Sequence, residues 1–214
     1  MTTSTTGRRP VAEVIGEITG DYVADLQRGY LEDESAAVAT LAQLRRGAGK
    51  VPADVPELWG VTGTEALFTE DEIPEWEQER VEAAHFLAVT LYASHQQSHL
   101  RERMHRRRRD AEFGAAIRRL MPRDAIDEAI RRKFVRIGTS DTLDVLADRL
   151  RDLISLLRRD SIPLDYALLA GQLYQAQFPD GMRAVRQRWG RSFHAYRPPN
   201  SDKPEKPDQP EKDV

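Results

Sequence analysis

The sequence contains no cysteine. That absence excludes disulfides, thiolate zinc sites and cysteine nucleophiles together. No uninterrupted apolar run approaches the ~20 residues needed to cross a bilayer. The first residues, Met1 to Thr6, are polar and lack the apolar core of a signal peptide. These absences point to a cytoplasmic protein that does not enter membranes. Catalytic signatures are missing too: there is no GxSxG or SxxK arrangement, no GxxxxGK[ST] loop, and no GxGxxG following a strand. Gly47-Ala48-Gly49-Lys50 resembles the end of a phosphate loop, but it follows a helical pattern and reads as a helix stop. Lysine is scarce, with Lys50 and Lys133 the only two before the final segment.

What is present is arginine, unevenly placed. The formal net charge is −3 over 214 residues, but residues 1–82 carry −10, residues 83–100 carry no Asp, Glu, Lys or Arg, and residues 101–136 carry +7. Residues 137–199 carry +2 and residues 200–214 carry −2. Such asymmetry suggests an acidic part and a basic binding surface. Guanidinium is the planar fork that suits phosphate, and it stays charged at any relevant pH.

Apolar periodicity is helical throughout. Tyr22, Leu26 and Tyr30 mark a first helix with Asp21 as a possible cap, and Val38, Leu41 and Leu44 mark a second that ends near Gly47. Residues 47–74 read as an ordered loop with a short helix around Leu58. Pro74 opens a third helix, with Trp76, Val81, Phe86, Leu87 and Leu91 on a wide apolar face. Further helices follow over Phe113 to Leu120, then from a cap at Asp124 through Ile126, Ile130 and Phe134 to a stop at Gly138. The leucine stripe Leu143, Leu146, Leu150, Leu153 and Leu157 is the clearest amphipathic pattern. Pro163 opens a helix that Phe178-Pro179-Asp180-Gly181 breaks, and a last helix carries Val185, Trp189 and Phe193. The expected fold is all-α, two packed helical bundles with a disordered C-terminal tail. Residues 1–15 are expected as a flexible arm, 16–122 as an N-terminal bundle, 123–197 as a C-terminal bundle, and 198–214 as the tail, too Pro- and charge-rich to bury a core.

Two kinds of site are worth weighing. His95 and His99 stand at the i, i+4 spacing of a zinc helix, but Gln96 occupies the place of the HExxH glutamate, and two imidazoles fall short of the three protein ligands usual for zinc. No metal and no cofactor is expected. The arginine clusters say more. Arg101, Arg103, Arg106, Arg107, Arg108 and Arg109 form a dense run in which Glu102 is the only acid. Arg45 and Arg46 precede it; Arg131, Arg132, Lys133 and Arg136 follow, and then Arg183 and Arg186. Like charges so close repel unless an anion is near, so a polyanion held by its backbone is the economical partner. Arg188 and Arg191 are open to pairing with acids inside the bundle. Tyr166 and Trp189 could stack bases, but their helical spacing with leucines favours core packing.

Residues 146–193, from Leu146 to Phe193, resemble the small subunit of the type I-E CRISPR Cascade complex, the CasB family. The resemblance rests on the leucine-rich helix, the helix start Pro163-Leu164-Asp165-Tyr166, and Val185-Arg186-Gln187-Arg188-Trp189-Gly190-Arg191-Ser192-Phe193. Upstream, Leu41-Ala42-Gln43-Leu44-Arg45-Arg46-Gly47 is similar to that family's early helix. The resemblance implies a nonenzymatic subunit of a crRNA-guided antiviral surveillance complex. It implies partners among the other Cascade subunits (the backbone and the large subunit), a second copy stacked head-to-tail, crRNA, and target DNA, especially its displaced strand. It maps Arg45 and Arg46, Arg131 and Arg132, and Arg183 and Arg186 onto basic positions of the family. An alternative reading is a helix-turn-helix transcription regulator with Pro122 to Ile137 as the recognition segment.

Overall fold

The helix over Leu143–Arg159 shows how the sequence sets the frame. The Thr142 hydroxyl accepts from the Val145 amide at its start, satisfying one of the amides a helix leaves open. Leu146, Leu150, Leu153, Ile154 and Leu157 are fully buried, while Asp148, Arg151 and Asp152 face water. Polar and apolar faces separate at the helical period, so the stripe packs inward.

The computed structural model describes residues 9–69, 73–140 and 142–197. The expected tail, 198–214, and the first eight positions of the expected arm lie outside the described residues. In order the helices are α1 (Val11–Leu31), α2 (Ser35–Leu44), α3 (Glu65–Phe68), α4 (Gln78–Gln96), α5 (Phe113–Arg119), α6 (Glu128–Ile137), α7 (Leu143–Arg159), α8 (Tyr166–Ala176) and α9 (Gly181–Ala195). Among the described residues there is no strand, only an isolated bridge between His105 and Leu164.

α4 is the hub. Its stretch from Ala84 to Ala93 is buried on every side, and it packs against α1, α7 and α8. A segment with no charged side chain can take that central place without stranding a charge. α1 and α8 form the most extensive pair, and small residues let them approach: a Cβ at Gly16 would stand 2.9 Å from the Ala167 carbonyl oxygen, and one at Gly171 would collide with that of Ala12. α5 packs on α9, and α6 on α7. Side chains on both sides of the expected division at 122/123 join one continuous apolar cluster.

Several boundaries differ from the sequence reading. α1 starts at Val11, inside the expected arm, because Val11, Val14, Ile15 and Ile18 already repeat at helical spacing and bury against α8. Asp127, not Asp124, caps α6, accepting from the Ala129 and Ile130 amides. Pro163 lies ahead of α8, whose cap is Asp165, accepting from Leu168. Trp76 was expected on an apolar helix face; it sits in a 3-10 turn (Glu75–Glu77) before α4 and is exposed. Tyr166 and Trp189 are core residues, as helical spacing implied. The break before α9 is a left-handed Asp180, with φ 59°.

Candidate nucleic-acid interface

The densest arginine run lies on no α-helix. α4 ends at Gln96, Ser98 turns the chain with φ 69°, and residues 97–108 run extended or in turns over the ends of α1, α4 and α8. Buried amides hold this rail. Gln27 of α1 donates through Nε2 to the His105 carbonyl at 3.2 Å and accepts from the His105 amide at 2.8 Å. Gln96 donates to the carbonyls of His99 and Glu102 and accepts from the Met104 amide at 3.1 Å. The Leu164 amide donates to Met104, and the Arg106 amide to Leu164. Met104 and His105 therefore point inward and are buried, while Arg101, Arg103, Arg106, Arg107, Arg108 and Arg109 point out and are exposed.

Three histidines are buried, and one of them, His105, ties the rail to α8. His85 donates from Nε2 to the Thr62 carbonyl at 2.8 Å, which leaves Nδ1 to accept from the Thr19 hydroxyl at 2.9 Å. His105 Nδ1 accepts from the Tyr166 amide at 3.1 Å. His95 Nδ1 meets the Tyr166 hydroxyl at 2.9 Å, and its Nε2 lies near the Leu157 and Ile162 backbone without a well-formed hydrogen bond. Burial pushes all three down, His85 and His105 to about 4 and His95 to about 3. They are neutral at physiological pH. His99 lies beyond the end of α4, donating from Nε2 to the Arg158 carbonyl at 2.9 Å, with Nδ1 3.3 Å from Glu102 Oε2. The two candidate zinc imidazoles thus do not share a helix face, since His99 lies beyond the end of α4.

The arginines sort by what they touch. Arg107 lies over Gly20 and pairs with Asp21 at 2.9 Å. Arg108 pairs with Asp110, Arg131 with Glu128, and Lys133 with Asp152 at 3.6 Å. Arg132 donates to the Glu128 carbonyl. Arg186 donates to the Gly138 carbonyl at 2.6 Å, and Arg149 donates to the Arg136 carbonyl, so these two close the end of α6. The side chains of Arg45, Arg46, Arg101, Arg103, Arg106, Arg109, Arg136 and Arg183 make no hydrogen bond or ion pair among the described residues. These unpartnered groups are spread over the end of α2, the rail, α6 and α9.

One groove gathers arginines from distant parts of the sequence. Arg109 from the 3-10 turn (Arg109–Ala111) faces Arg188 and Arg191 of α9 and Arg197 beyond it, around a space of about 620 Å³ with Tyr196 on its wall. Asp110 and Glu112 also line it, but Asp110 already pairs with Arg108 and lies 3.8 Å from Arg119. Arg188 donates to Gln175 Oε1 at 2.9 Å; Arg109 and Arg191 have no partner among the described residues. Arg188 and Arg191 therefore face this groove and pair with no acid. Their i, i+3 spacing, continued toward Arg197, was the signal in the sequence.

Residues 40–194 match the family described as CRISPR-associated protein Cse2. The fold matches the crystal structure of CasB from Thermobifida fusca with a TM-score of 0.76 and 47% identity, covering 85% of this chain and 98% of that one. The chain belongs to the Cse2 family. The resemblance to the Cascade small subunit drawn from residues 146–193 therefore stands, and the all-helical fold is that of the family. A Cse2-family protein from Thermus thermophilus shares the fold at TM-score 0.60 and 23% identity, covering 84% of this chain and 97% of that one. Among curated proteins, none is significantly similar to this chain. No helix among the described residues is long and apolar enough to cross a membrane.

Proposed function

We propose that this Cse2-family chain is a nonenzymatic, cytoplasmic subunit of a crRNA-guided antiviral surveillance complex and stabilises its R-loop by holding nucleic-acid backbone. The observation that carries the reading is the groove of Arg109, Arg188, Arg191 and Arg197. Four arginines line it against two carboxylates, one of which already pairs with Arg108; Arg188 and Arg197 donate only to neutral oxygens. An unpaired cluster of this sign is relieved by phosphates, and the released counterions drive binding. Tyr196 supplies an aromatic wall for an unstacked base. The rail continues the basic surface through Arg106, Arg103 and Arg101. Backbone contact of this kind carries no sequence information, and sequence is delegated to guide pairing. The displaced DNA strand and the guide–target region are the expected ligands. Arg45, Arg46, Arg131, Arg132, Lys133, Arg136, Arg183 and Arg186 are secondary contacts. The backbone and large Cascade subunits and a second, head-to-tail copy are the expected neighbours.

The test is fluorescence anisotropy with a random-sequence single-stranded oligonucleotide at several salt concentrations. Replacing both Arg109→Ala and Arg191→Ala should flatten the salt slope by about 1.4, or ~0.7 per lost phosphate contact. Arg131→Ala with Arg132→Ala should flatten it less, because Arg131 is held by Glu128. Unchanged affinity and slope in the Arg109/Arg191 pair would refute the groove. A strong preference for one palindromic duplex would instead favour the helix-turn-helix regulator.

A further inference from the structure

A second concavity lies away from the arginine groove. It holds about 1070 Å³ between the loop after α2, the start of α4, the start of α7 and the turn into α9. Trp59 and Trp76 line it and are 72% and 68% exposed, far more than any core aromatic of this chain. Glu79, Glu82 and Asp144 line it as well, and none of these carboxylates has a hydrogen bond or ion pair among the described residues. Its only cation, Arg80, is turned onto the Phe178 ring at 4.8 Å from the centroid. Two exposed indoles beside three unpaired carboxylates suit a ligand with flat apolar edges and ammonium groups.

The chain carries such a segment. Residues 203–211 read Lys203-Pro204-Glu205, Lys206-Pro207-Asp208, Gln209-Pro210-Glu211, three triplets with proline in the middle of each. Polyproline II has three residues per turn. In that conformation Pro204, Pro207 and Pro210 fall on one ridge, Lys203 and Lys206 on the second, and Glu205, Asp208 and Glu211 on the third. Aromatic-lined grooves recognise proline ridges of this spacing.

The reach also fits. Met182, at the start of α9, lines the groove, and the described chain leaves α9 at its other end, near Arg197. The helix between them spans ~20 Å at 1.5 Å per residue. The six steps from Arg197 to Lys203 cover ~19 Å at 3.1 Å per residue. A tether of that length brings the triplets within reach of the groove. We propose that residues 203–211 dock in cis on the Trp59–Trp76 groove, prolines against the indoles and Lys203 and Lys206 against Glu79, Glu82 and Asp144. A short tether gives an effective concentration in the millimolar range, so even a millimolar intrinsic dissociation constant leaves about half the molecules docked.

Tryptophan fluorescence tests this directly, because the third tryptophan, Trp189, is buried at 2% exposure and contributes a constant background. The full chain is compared with a chain stopped after Arg197, which keeps every described helix. Stopping the chain should shift emission to the red and raise the acrylamide quenching constant about two-fold, as roughly half the indoles become uncovered. A synthetic peptide of residues 198–214 added at millimolar concentration should reverse the change, and the same peptide carrying Pro204→Ala, Pro207→Ala and Pro210→Ala should not. Identical emission and quenching in the two chains would overturn the proposal. Equal rescue by both peptides would overturn it too, by showing that charge alone attracts the segment. So would quenching that rises when the full chain is diluted, which would place the segment on another copy. A truncation that leaves the indoles unchanged and tightens oligonucleotide binding would instead assign the acidic ridge to the arginine groove.

Discussion

Mild acid should unfold this protein, and the buried histidines set the size of the effect. Each is held neutral in the fold, with His85 and His105 lowered to about 4 and His95 to about 3, against an ordinary 6.5. Above pH 6.5 both folded and unfolded chains carry neutral imidazoles, and stability does not depend on them. As pH falls below 6.5 the unfolded chain takes up protons that the folded chain refuses, so stability falls with pH until the folded values are reached near pH 4. At pH 4.5 each group has crossed about two units of this window, or about 2–3 kcal/mol at 1.36 kcal/mol per unit. Three such groups remove several kcal/mol, a large part of the 5–15 kcal/mol typical of a domain. Urea melts followed by far-UV circular dichroism from pH 7.5 to 4.5 would show stability constant at the upper end and then falling with a slope approaching three protons. Imidazole NMR should place His105 among the last to titrate, since its Nδ1 accepts from the Tyr166 amide. A stability curve flat from pH 7 to pH 5, or His85, His95 and His105 titrating near 6.5 in the folded protein, would refute the reasoning.

Other outcomes follow from single contacts. Gln27→Ala leaves the buried amide and carbonyl of His105 without partners; chemical denaturation should show a loss of about 2–4 kcal/mol, and anisotropy a weaker hold on oligonucleotide. Leu150→Ala, in the fully buried stripe of α7, should cost about 2–5 kcal/mol, whereas Val145→Ala on the same helix, 39% exposed, should change the urea midpoint little. Gly114→Ala places a methyl against the Trp189 carbonyl, where α5 crosses α9; calorimetry should register a loss on the order of 2 kcal/mol or more, since backbone must move.

Local signals carried most of the fold. The stripe of α7, the glycine after α6 and the Phe178-Pro179-Asp180-Gly181 break act within a few residues, and they can be read from order alone. The start of α1 is harder, because Gly16 and Gly20 dilute the helical pattern; they are present to admit α8 and Arg107, which are distant in sequence. The same distance hides the fate of each cation. Arg107 finds Asp21 across 86 positions, and Arg186 is spent on the Gly138 carbonyl. Charge density alone cannot separate these from Arg109, whose side chain has no partner among the described residues. Arg188 and Arg191 were legible as one face of a helix, but not as opposite Arg109, since that depends on how α5 and α9 cross. Trp76 followed helical spacing and is nonetheless exposed, because the 3-10 turn before α4 rotates it off the core face.

The rail under Arg101 to Arg109 is fastened by amides, carbonyls and a neutral imidazole, with no ion pair among the bonds that fix its backbone. Grip and frame thus answer to different forces. Concentrated electrolyte should strip a bound strand from the guanidinium groups while the path they stand on keeps its shape. The protein washed clean in this way should then recapture its ligand on dilution, with no refolding step.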